Sequence, residues 1–366
     1  MTSGYLAFTH FQSLLIYLSL FIISIGGYTY SIQSIKLSEK QRKGIRLGII
    51  LLLSFVLGTR YFTGTDYRNY GYLIRTMEVN ITEPLNYLLY ALGYVNKQIT
   101  FGAYIFFSLF FVIKALDEFF DNTWYKMFAF TSYIFMFFPH CLNTIREGLA
   151  LTILLYSISF LMKKIDKKGV FWFIVACLIH NVILIFTPIV IALCWKKKLT
   201  YRTCLLYTFI LLAAWLLSVI ELPFELPERI EVYFDKAQSD WSFGILAISI
   251  PYFIYIYILL IKKKASLDFS FVKNSSFMVI NGFIVRHMAY INFYFYRFSN
   301  PFNIMKILLF AYVPFLIFTY LPLPKTKRNA YLIFVVFALL MFAYFMLEFY
   351  YGGTGEIFPY RFKLIT

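Results

Sequence analysis

Apolar runs of about 17–25 residues recur along almost the whole chain, and this pattern constrains the fold more than any other feature. A run of that length is what a helix needs to cross the hydrocarbon core of a bilayer. The runs are continuous rather than alternating, which argues against a transmembrane β-barrel. The composition agrees, because 61% of the 366 residues are hydrophobic and only 14% are charged. The sequence therefore predicts an all-α, polytopic integral membrane protein.

The positive charge of the chain is concentrated just outside these apolar runs. The net charge is +16, and lysine-rich clusters stand at 36–46, 163–168, 196–198, 262–264 and 325–328. Such clusters are typical of cytoplasmic loops, which hold basic residues on the inner side of the membrane. The charge therefore encodes orientation, and no RNA- or DNA-binding motif accompanies it. We expect membrane lipid, and not nucleic acid, as a partner.

Placing those clusters in the cytoplasm predicts how the chain crosses the membrane. We expect roughly 12 transmembrane or re-entrant helices in a single transmembrane domain over 1–366, with larger external segments at 61–98 and 221–243. The run 170–195 has the length of one span, yet basic clusters flank both of its ends. A hairpin of two short helices with His180 near its tip resolves this, because broken helices are tolerated where they line a cavity. The other predicted spans are 11–33, 46–60, 99–119, 126–140, 147–162, 203–220, 244–261, 276–295, 300–321 and 330–348.

The cysteines and the known short motifs give no sign of a metal or cofactor. The cysteines stand apart from one another, without a CxxC pair, and the chain has no HExxH, Walker or GxGxxG motif. We expect no disulfide framework, no metal site and no cofactor.

Lysine and arginine are distributed differently along this predicted topology. Most lysines lie in cytoplasmic loops, whereas most arginines lie in external segments or in helices that lead outward. Because arginine presents a planar, permanently charged fork that grips phosphate, we expect an anionic ligand such as a lipid-linked pyrophosphate at the outer face. An arginine could instead snorkel or pair with a carboxylate, and we favour this alternative for the two in charged loops, Arg229 and Arg361. The other outer arginines are Arg60, Arg68, Arg75, Arg146, Arg286 and Arg297.

The stretch RYFTGTDYRNY at 60–70 offers several further candidates in a turn-rich external segment. It contains Arg60, Asp66, Arg68 and Tyr70, and Gly64 supports the turn. This stretch is either a binding loop for sugar and phosphate or a solvated loop.

Three other residues each have two interpretations. Glu83 precedes a proline at a predicted helix start, so it either caps its own helix or contacts substrate. His180 is either a core histidine with a hydrogen-bond partner or a general base for a sugar hydroxyl, because imidazole titrates near neutral pH. Arg297 lies in the aromatic stretch 290–303, which either belongs to the membrane interface or stacks on sugar.

These residues form patterns that resemble a known family. The stretch from 143 to 186 is similar to the EpsG-type branch of the Wzy-like polysaccharide polymerases, which shows an N-x-I-R helix start, a lysine-rich turn and an A-x-x-x-H element. The pattern R-x-x-x-G-x-D-x-x-x-Y is also present. The chain departs from the family pattern at Glu147 and at Asn181–Val182–Ile183. The matching residues are Arg60, Gly64, Asp66, Tyr70, Glu83, Pro84, Asn143, Ile145, Arg146, Ala150, Ala176, His180, Pro359 and Tyr360.

The resemblance implies a specific activity. Such proteins are GT-C-like, metal-independent glycosyltransferases that polymerise undecaprenyl-pyrophosphate-linked oligosaccharide units at the outer face of the bacterial inner membrane, as in O-antigen, capsule or exopolysaccharide assembly. By this resemblance Arg146, His180 and Asp66 are the expected catalytic residues. A chain-length regulator is a further candidate partner. The expected substrate-binding residues are Arg60, Arg68, Tyr70, Glu83, Arg286 and Arg297.

Other functions fit the same composition. A flippase for lipid-linked oligosaccharides would also carry outward arginines, although transporters often contain internal repeats and none is clear here. A glycosyltransferase or ligase that uses the same carrier is a third candidate. A purely structural membrane subunit would leave the arginine distribution unexplained.

Overall fold

The computed structural model describes residues 6–64, 66–196, 269–288, 295–320 and 326–362, together with Phe209. These parts of the chain are almost entirely helical, as predicted. The strands within them are one antiparallel pair of two residues each, β1 (Leu6–Ala7) and β2 (Arg361–Phe362). The helices are α1 His10–Gln33, α2 Glu39–Gly58, α3 Tyr67–Thr76, α4 Asn86–Leu92, α5 Lys97–Phe119, α6 Thr123–Ser132, α7 Phe138–Asn143, α8 Ile145–Met162, α9 Asp166–Ile179, α10 Thr187–Lys196, α11 Phe269–Met288, α12 Phe295–Phe298, α13 Asn300–Asn303, α14 Lys306–Tyr320 and α15 Lys327–Phe345.

Four helical segments in the described ranges are long and apolar enough to cross a membrane. They are His10–Gln33, Lys97–Phe119, Ile145–Met162 and Lys327–Tyr351, and each overlaps a predicted span. The protein is therefore a helical membrane protein. The total of roughly twelve spans and the GT-C-like class stay predictions. Apart from Phe209, the predicted spans 203–220 and 244–261 and the predicted external segment 221–243 lie outside the described residues.

The chain forms two compact units. The first contains residues 1–159, 171–181 and 310–366, and the second contains 160–170 and 182–309. The expectation that 1–366 form one transmembrane domain stays a prediction.

Side chains at the helix starts explain why several helices begin where they do. Thr9 and Ser38 each accept a hydrogen bond from the backbone N–H three residues later, and the glutamine side chain at that position accepts one from the backbone N–H of the cap residue. Asn96 and Asn122 accept from the backbone N–H two residues on, at the starts of α5 and α6. These caps satisfy backbone donors that have no partner inside the helix.

Helices α2 and α5 approach each other closely at two glycines. A Cβ atom on Gly58 would lie 2.7 Å from the Cα of Gly102, so a larger residue would force the backbones apart. Close approach at small residues is a common way to pack helices in a membrane, where lipid provides no hydrophobic driving force. The Gln98 side chain then donates to the Thr59 carbonyl at 3.1 Å. This contact fixes the start of the loop that follows α2.

The C-terminal segment holds the same loop from the other side. Tyr61 N–H donates to the Arg361 carbonyl at 2.8 Å, and Gly64 N–H donates to the Glu356 carbonyl at 3.0 Å. Arg361 N–H in turn donates to Thr63 Oγ1 at 3.2 Å. The C-terminal segment is therefore held against residues 61–64.

The predicted interruption at His180 is confirmed. Helix α9 ends at Ile179, and a 3₁₀ turn at Asn181–Phe186 precedes α10. His180 N–H still donates to the Ala176 carbonyl at 3.0 Å, so the side chain sits at the end of the last helical turn. Re-entry of this segment into the membrane stays a prediction.

We expect Gly58→Ala to destabilise the protein by about 1–3 kcal/mol, because the added methyl group overpacks the α2–α5 contact. Gly48→Ala is the matched control on the same helix, since a Cβ there has no atom within 4 Å. The control should be neutral or stabilise by up to about 1 kcal/mol through helix propensity. Thermal unfolding of the purified variants in detergent measures both, and equal midpoints for the two variants would contradict the packing argument.

Candidate active site

A buried carboxylate joins two of the predicted catalytic residues in the first unit. Glu83 is 2% exposed. Its Oε2 lies 2.7 Å from Nη1 of Arg146, and its Oε1 lies 2.7 Å from Nδ1 of His180. The backbone N–H of Asn181 also donates to Oε1 at 3.1 Å. The structure therefore brings Arg146, His180 and Glu83 together.

Asn86 connects the helices that carry this arrangement. It lies in the first turn of α4, and its Nδ2 donates to the Ile179 carbonyl at 2.8 Å. Its Oδ1 accepts from the hydroxyl of Tyr104 on α5 at 2.6 Å. Asn86 thus links α4, α5 and the end of α9, which sets the position of His180 relative to Glu83.

Glu83 is an ionised acceptor in this site. Burial opposes its charge, but the hydrogen bond and charge of His180, the charge of Arg146 and the Asn181 N–H together hold the pKa of this carboxyl below its usual range. An ionised carboxylate can only accept hydrogen bonds, so Nδ1 of His180 carries the shared proton. In the neutral imidazole the other nitrogen, Nε2, is then the one with a free lone pair.

Arg146 stands in the first turn of α8, and Glu83 uses only part of its guanidinium. The Cζ atom lies 5.4 Å from the ring centroid of Tyr70 on α3. The side chain is 20% exposed, and its Nε has no hydrogen-bond partner among the described residues. A guanidinium has five N–H donors, so donors remain for a ligand. The helix N-terminus adds positive potential at the same place.

Asp66 reaches the site through its backbone. Its N–H donates to Oδ1 of Asn143, the last residue of α7, at 3.2 Å. Gly64 has a φ of +96°, and a Cβ there would lie 3.1 Å from the same oxygen, so glycine fits both the turn and the close approach. This contact holds the start of α3, which carries Tyr70, against the α7–α8 junction.

Arg60 lies in the interior of the first unit. It is 1% exposed, its Cζ lies 4.8 Å from the ring centroid of Phe101, and Nη1 donates to the Leu57 carbonyl at 3.3 Å. Its neighbours include four tyrosines, Tyr17, Tyr67, Tyr70 and Tyr360. The contacts shown are with the protein itself, and a substrate contact for Arg60 stays a prediction.

Three predicted binding residues remain, Arg68, Arg286 and Arg297. Arg68 is exposed on α3, with its Cζ 5.2 Å from the ring centroid of Phe62. Arg286 on α11 is half-buried and Arg297 on α12 is exposed, and both belong to the second unit. Their substrate-binding roles stay predictions.

Two contributors were not singled out from the sequence. Asn86 and Tyr104 belong to no sequence motif. Only the hydrogen bond between them shows that they help to position the end of α9. Asn181 was noticed as a departure from a pattern, but it binds Glu83 through its backbone N–H, which any residue except proline provides. Among the described residues, no three His, Cys, Asp or Glu side chains come together as a metal site.

Comparison with known proteins identifies the family of the chain. The model of the EpsG family matches residues 45–362, which include all the candidate residues named above. No curated protein and no solved structure matches the chain.

We expect Glu83→Gln to destabilise the protein at pH 7 by about 1.5–3 kcal/mol, because hydrogen bonds to a charged group are lost. The pKa of Glu83 is lower in the folded protein than in the unfolded chain, where it is about 4.3. The ionised carboxylate therefore contributes fully to the free energy of unfolding above about pH 4.3, and this contribution is lost as the pH falls through the folded pKa. The difference between wild type and variant should therefore shrink below that pH. Thermal unfolding from pH 3 to pH 7 measures it.

Glu78→Gln is the control, because Glu78 is exposed in the same segment. A Glu83→Gln variant that unfolds at the wild-type temperature at pH 7 would show that this carboxylate does not hold the site together.

Proposed function

This chain belongs to the EpsG family, and we propose that it is a membrane glycosyltransferase that polymerises undecaprenyl-pyrophosphate-linked oligosaccharide units at the outer face of the bacterial inner membrane. The family supports a polysaccharide polymerase-type function. The observation that carries the proposal is the buried Glu83, which holds an arginine and a histidine at 2.7 Å each. A phosphate-binding cation and a proton acceptor are the two groups that this reaction needs.

The reaction is a displacement at the anomeric carbon of the growing chain. A hydroxyl oxygen of the acceptor unit attacks that carbon, and a new carbon–oxygen bond forms. The bond between the carbon and the diphosphate oxygen breaks, and its electron pair leaves with undecaprenyl diphosphate. The hydroxyl proton passes to a base on the protein. The step is balanced without an oxidant or a reductant.

His180 is the base in this proposal. Its Nδ1–H is bound to Glu83, so the ring is oriented and Nε2 can accept the hydroxyl proton. The carboxylate also stabilises the imidazolium that forms, as in other carboxylate–histidine pairs. Glu83 is buried among its donors, so we assign it as a positioning residue. Asp66, the other candidate, orients the acceptor.

Arg146 stabilises the leaving diphosphate in this proposal. Its remaining N–H donors meet the negative charge that develops on the departing oxygen, where a preorganised cation has the largest effect. The ring of Tyr70 and the carboxylate of Glu83 fix the guanidinium before substrate binds. Because arginine supplies this charge, the proposed reaction is metal-independent.

We expect Arg146→Ala to lower the polymerisation rate by about 10²–10³-fold, the usual effect of removing a group that stabilises developing charge. A gel of surface polysaccharide from the complemented deletion strain should show single capped units in place of a ladder. Arg146→Lys keeps the charge but loses the planar fork, so it should restore only part of the ladder.

Arg42→Ala is the control, because Arg42 binds backbone carbonyls at the start of α2, far along the chain from the site. If Arg146→Ala accumulates poorly in the membrane, the double variant Glu83→Gln/Arg146→Ala is compared with Glu83→Gln alone, and a further loss of polymer in the double variant tests the role of Arg146. A normal ladder from a well-accumulated Arg146→Ala protein would refute the assignment. Loss of every unit from the surface of the deletion strain would favour the flippase.

We expect His180→Ala to reduce turnover by about 10²–10⁴-fold, the usual contribution of a general base. The measurement is the rate of polymer formation in isolated membranes. His10→Ala is the matched control, since His10 is exposed at the start of α1. Unchanged rate and polymer length in His180→Ala would remove His180 from the mechanism.

A further inference from the structure

A polar cavity of about 210 Å³ lies beside α3 in the first unit, and the proposed mechanism does not use it. Aromatic rings and two basic side chains line it, and no carboxylate is among the described lining residues. This composition suits an anionic group joined to a sugar, because the rings offer stacking surfaces and the cations attract the charge. The lining includes Tyr61, Tyr67, Tyr94, Arg75, Lys97 and Gln98.

Lys97 places a fixed positive charge in this cavity. It is the first residue of α5, at the end of a candidate membrane span. Its Nζ lies 4.6 Å from the ring centroid of Tyr67, 5.9 Å from that of Tyr61 and 5.8 Å from that of Phe62. A Cβ on Gly71 would lie 3.1 Å from this Nζ, so the glycine leaves room for the lysine to cross α3. The charge therefore stands where a lipid head group would meet the membrane boundary.

An apolar groove of about 360 Å³ lies next to this cavity, between α2 and α5. Gln98 lines both the groove and the cavity, so the two are neighbours at that residue. The groove is open to the surface, where Leu51 and Phe55 of α2 are 51% and 59% exposed. Its apolar lining includes Leu51, Phe55, Ile99, Ala103, Phe106 and Phe107.

We propose that the groove and the cavity together bind the acceptor, one polyprenyl-diphosphate-linked saccharide, with the isoprenoid tail in the groove and the diphosphate at Lys97. An apolar groove beside a cationic, aromatic cavity, with Gln98 common to both, matches the amphiphilic shape of such a lipid. This inference rests on the proposed function, which requires two lipid-linked substrates, a donor and an acceptor. In the first unit as described, Arg146 and the cavity that contains Lys97 and Arg75 can each supply one cationic centre.

The chemistry assigns the two substrates to the two centres. The donor diphosphate gains charge as it leaves, so it belongs with Arg146, whose buried partner fixes the guanidinium. The acceptor diphosphate keeps its charge during the reaction and needs only to be held, for which a lysine suffices. Tyr67 borders the cavity and Tyr70 contacts Arg146. These two residues are about one helical turn apart on α3, so both lipids approach the same helix.

The test uses the full-length protein in nanodiscs and a probe of undecaprenyl diphosphate linked to one N-acetylglucosamine, with a photoreactive group in the tail. We expect cross-links within residues 51–59 and 98–107. Lys97→Ala should weaken probe binding by about tenfold, the loss of one charge-assisted contact. Ala103→Phe, which fills the groove, should weaken it by at least as much. His180→Ala should bind the probe as the wild type does.

Two matched controls accompany these variants. Lys114→Ala removes a lysine that also lies over a ring, that of Phe110, on the same helix but outside the cavity. Gly48→Phe adds the same ring at an open position on α2. Both controls should bind the probe normally. In membranes, a higher acceptor concentration should restore polymerisation in Lys97→Ala and not in His180→Ala, because only the former raises KM.

Three results would overturn the inference. The first is that Lys97→Ala and Ala103→Phe both bind the probe as tightly as the wild type does. If His180→Ala still stopped polymerisation in that case, the proposed polymerase function would stand and only the acceptor site would be lost. Displacement of the probe by an equal concentration of phosphatidylglycerol would show that the groove holds ordinary lipid. The third is that the probe cross-links to the groove but deletion of the protein leaves the polysaccharide ladder intact. The groove would then still be a lipid site, but both the polymerase function and the acceptor assignment would be wrong.

Discussion

The candidate site depends on one buried carboxylate and on the donors that keep it ionised. Isolated in the protein interior, the charge of Glu83 would cost several kcal/mol, and only close, well-oriented partners offset that cost. Arg146, His180 and the Asn181 N–H provide them. The donors also depend on Glu83, because this carboxylate fixes the guanidinium of Arg146 and selects the imidazole tautomer of His180. Three segments that are distant in sequence are therefore held in one geometry before any ligand arrives.

The membrane adds a second constraint, which is met by close helix packing. Helices α2 and α5 touch at Gly58 and Gly102, and this contact sets both the loop after α2 and the start of α5. The same pair of helices presents an apolar groove outside and a polar cavity at its end. The packing that stabilises the two helices thus also shapes the surface proposed above for the acceptor lipid.

Several features were predictable because they depend on local sequence. Apolar runs located the four candidate spans, and the basic clusters around 170–195 led to the predicted break at His180, where α9 ends. The family resemblance picked out Arg146, His180, Asp66, Tyr70 and Glu83, the last as a substrate-binding residue. The role of Glu83 as the shared partner of Arg146 and His180 was not predictable, since a glutamate before a proline is an ordinary helix start. Its partners lie 63 and 97 residues away, and no local pattern encodes such contacts.

The sequence by itself determined that this is a helical membrane protein of the EpsG family, because hydrophobic length and motif spacing are properties of the chain alone. Only the tertiary structure decided which polar residues meet. It buried Arg60 among aromatic side chains, left Arg68 exposed, and joined Arg146 to His180 through Glu83. The physical reason is that the stability of a buried charge depends on partners brought near it by folding, and their positions are set by helix packing across the whole unit.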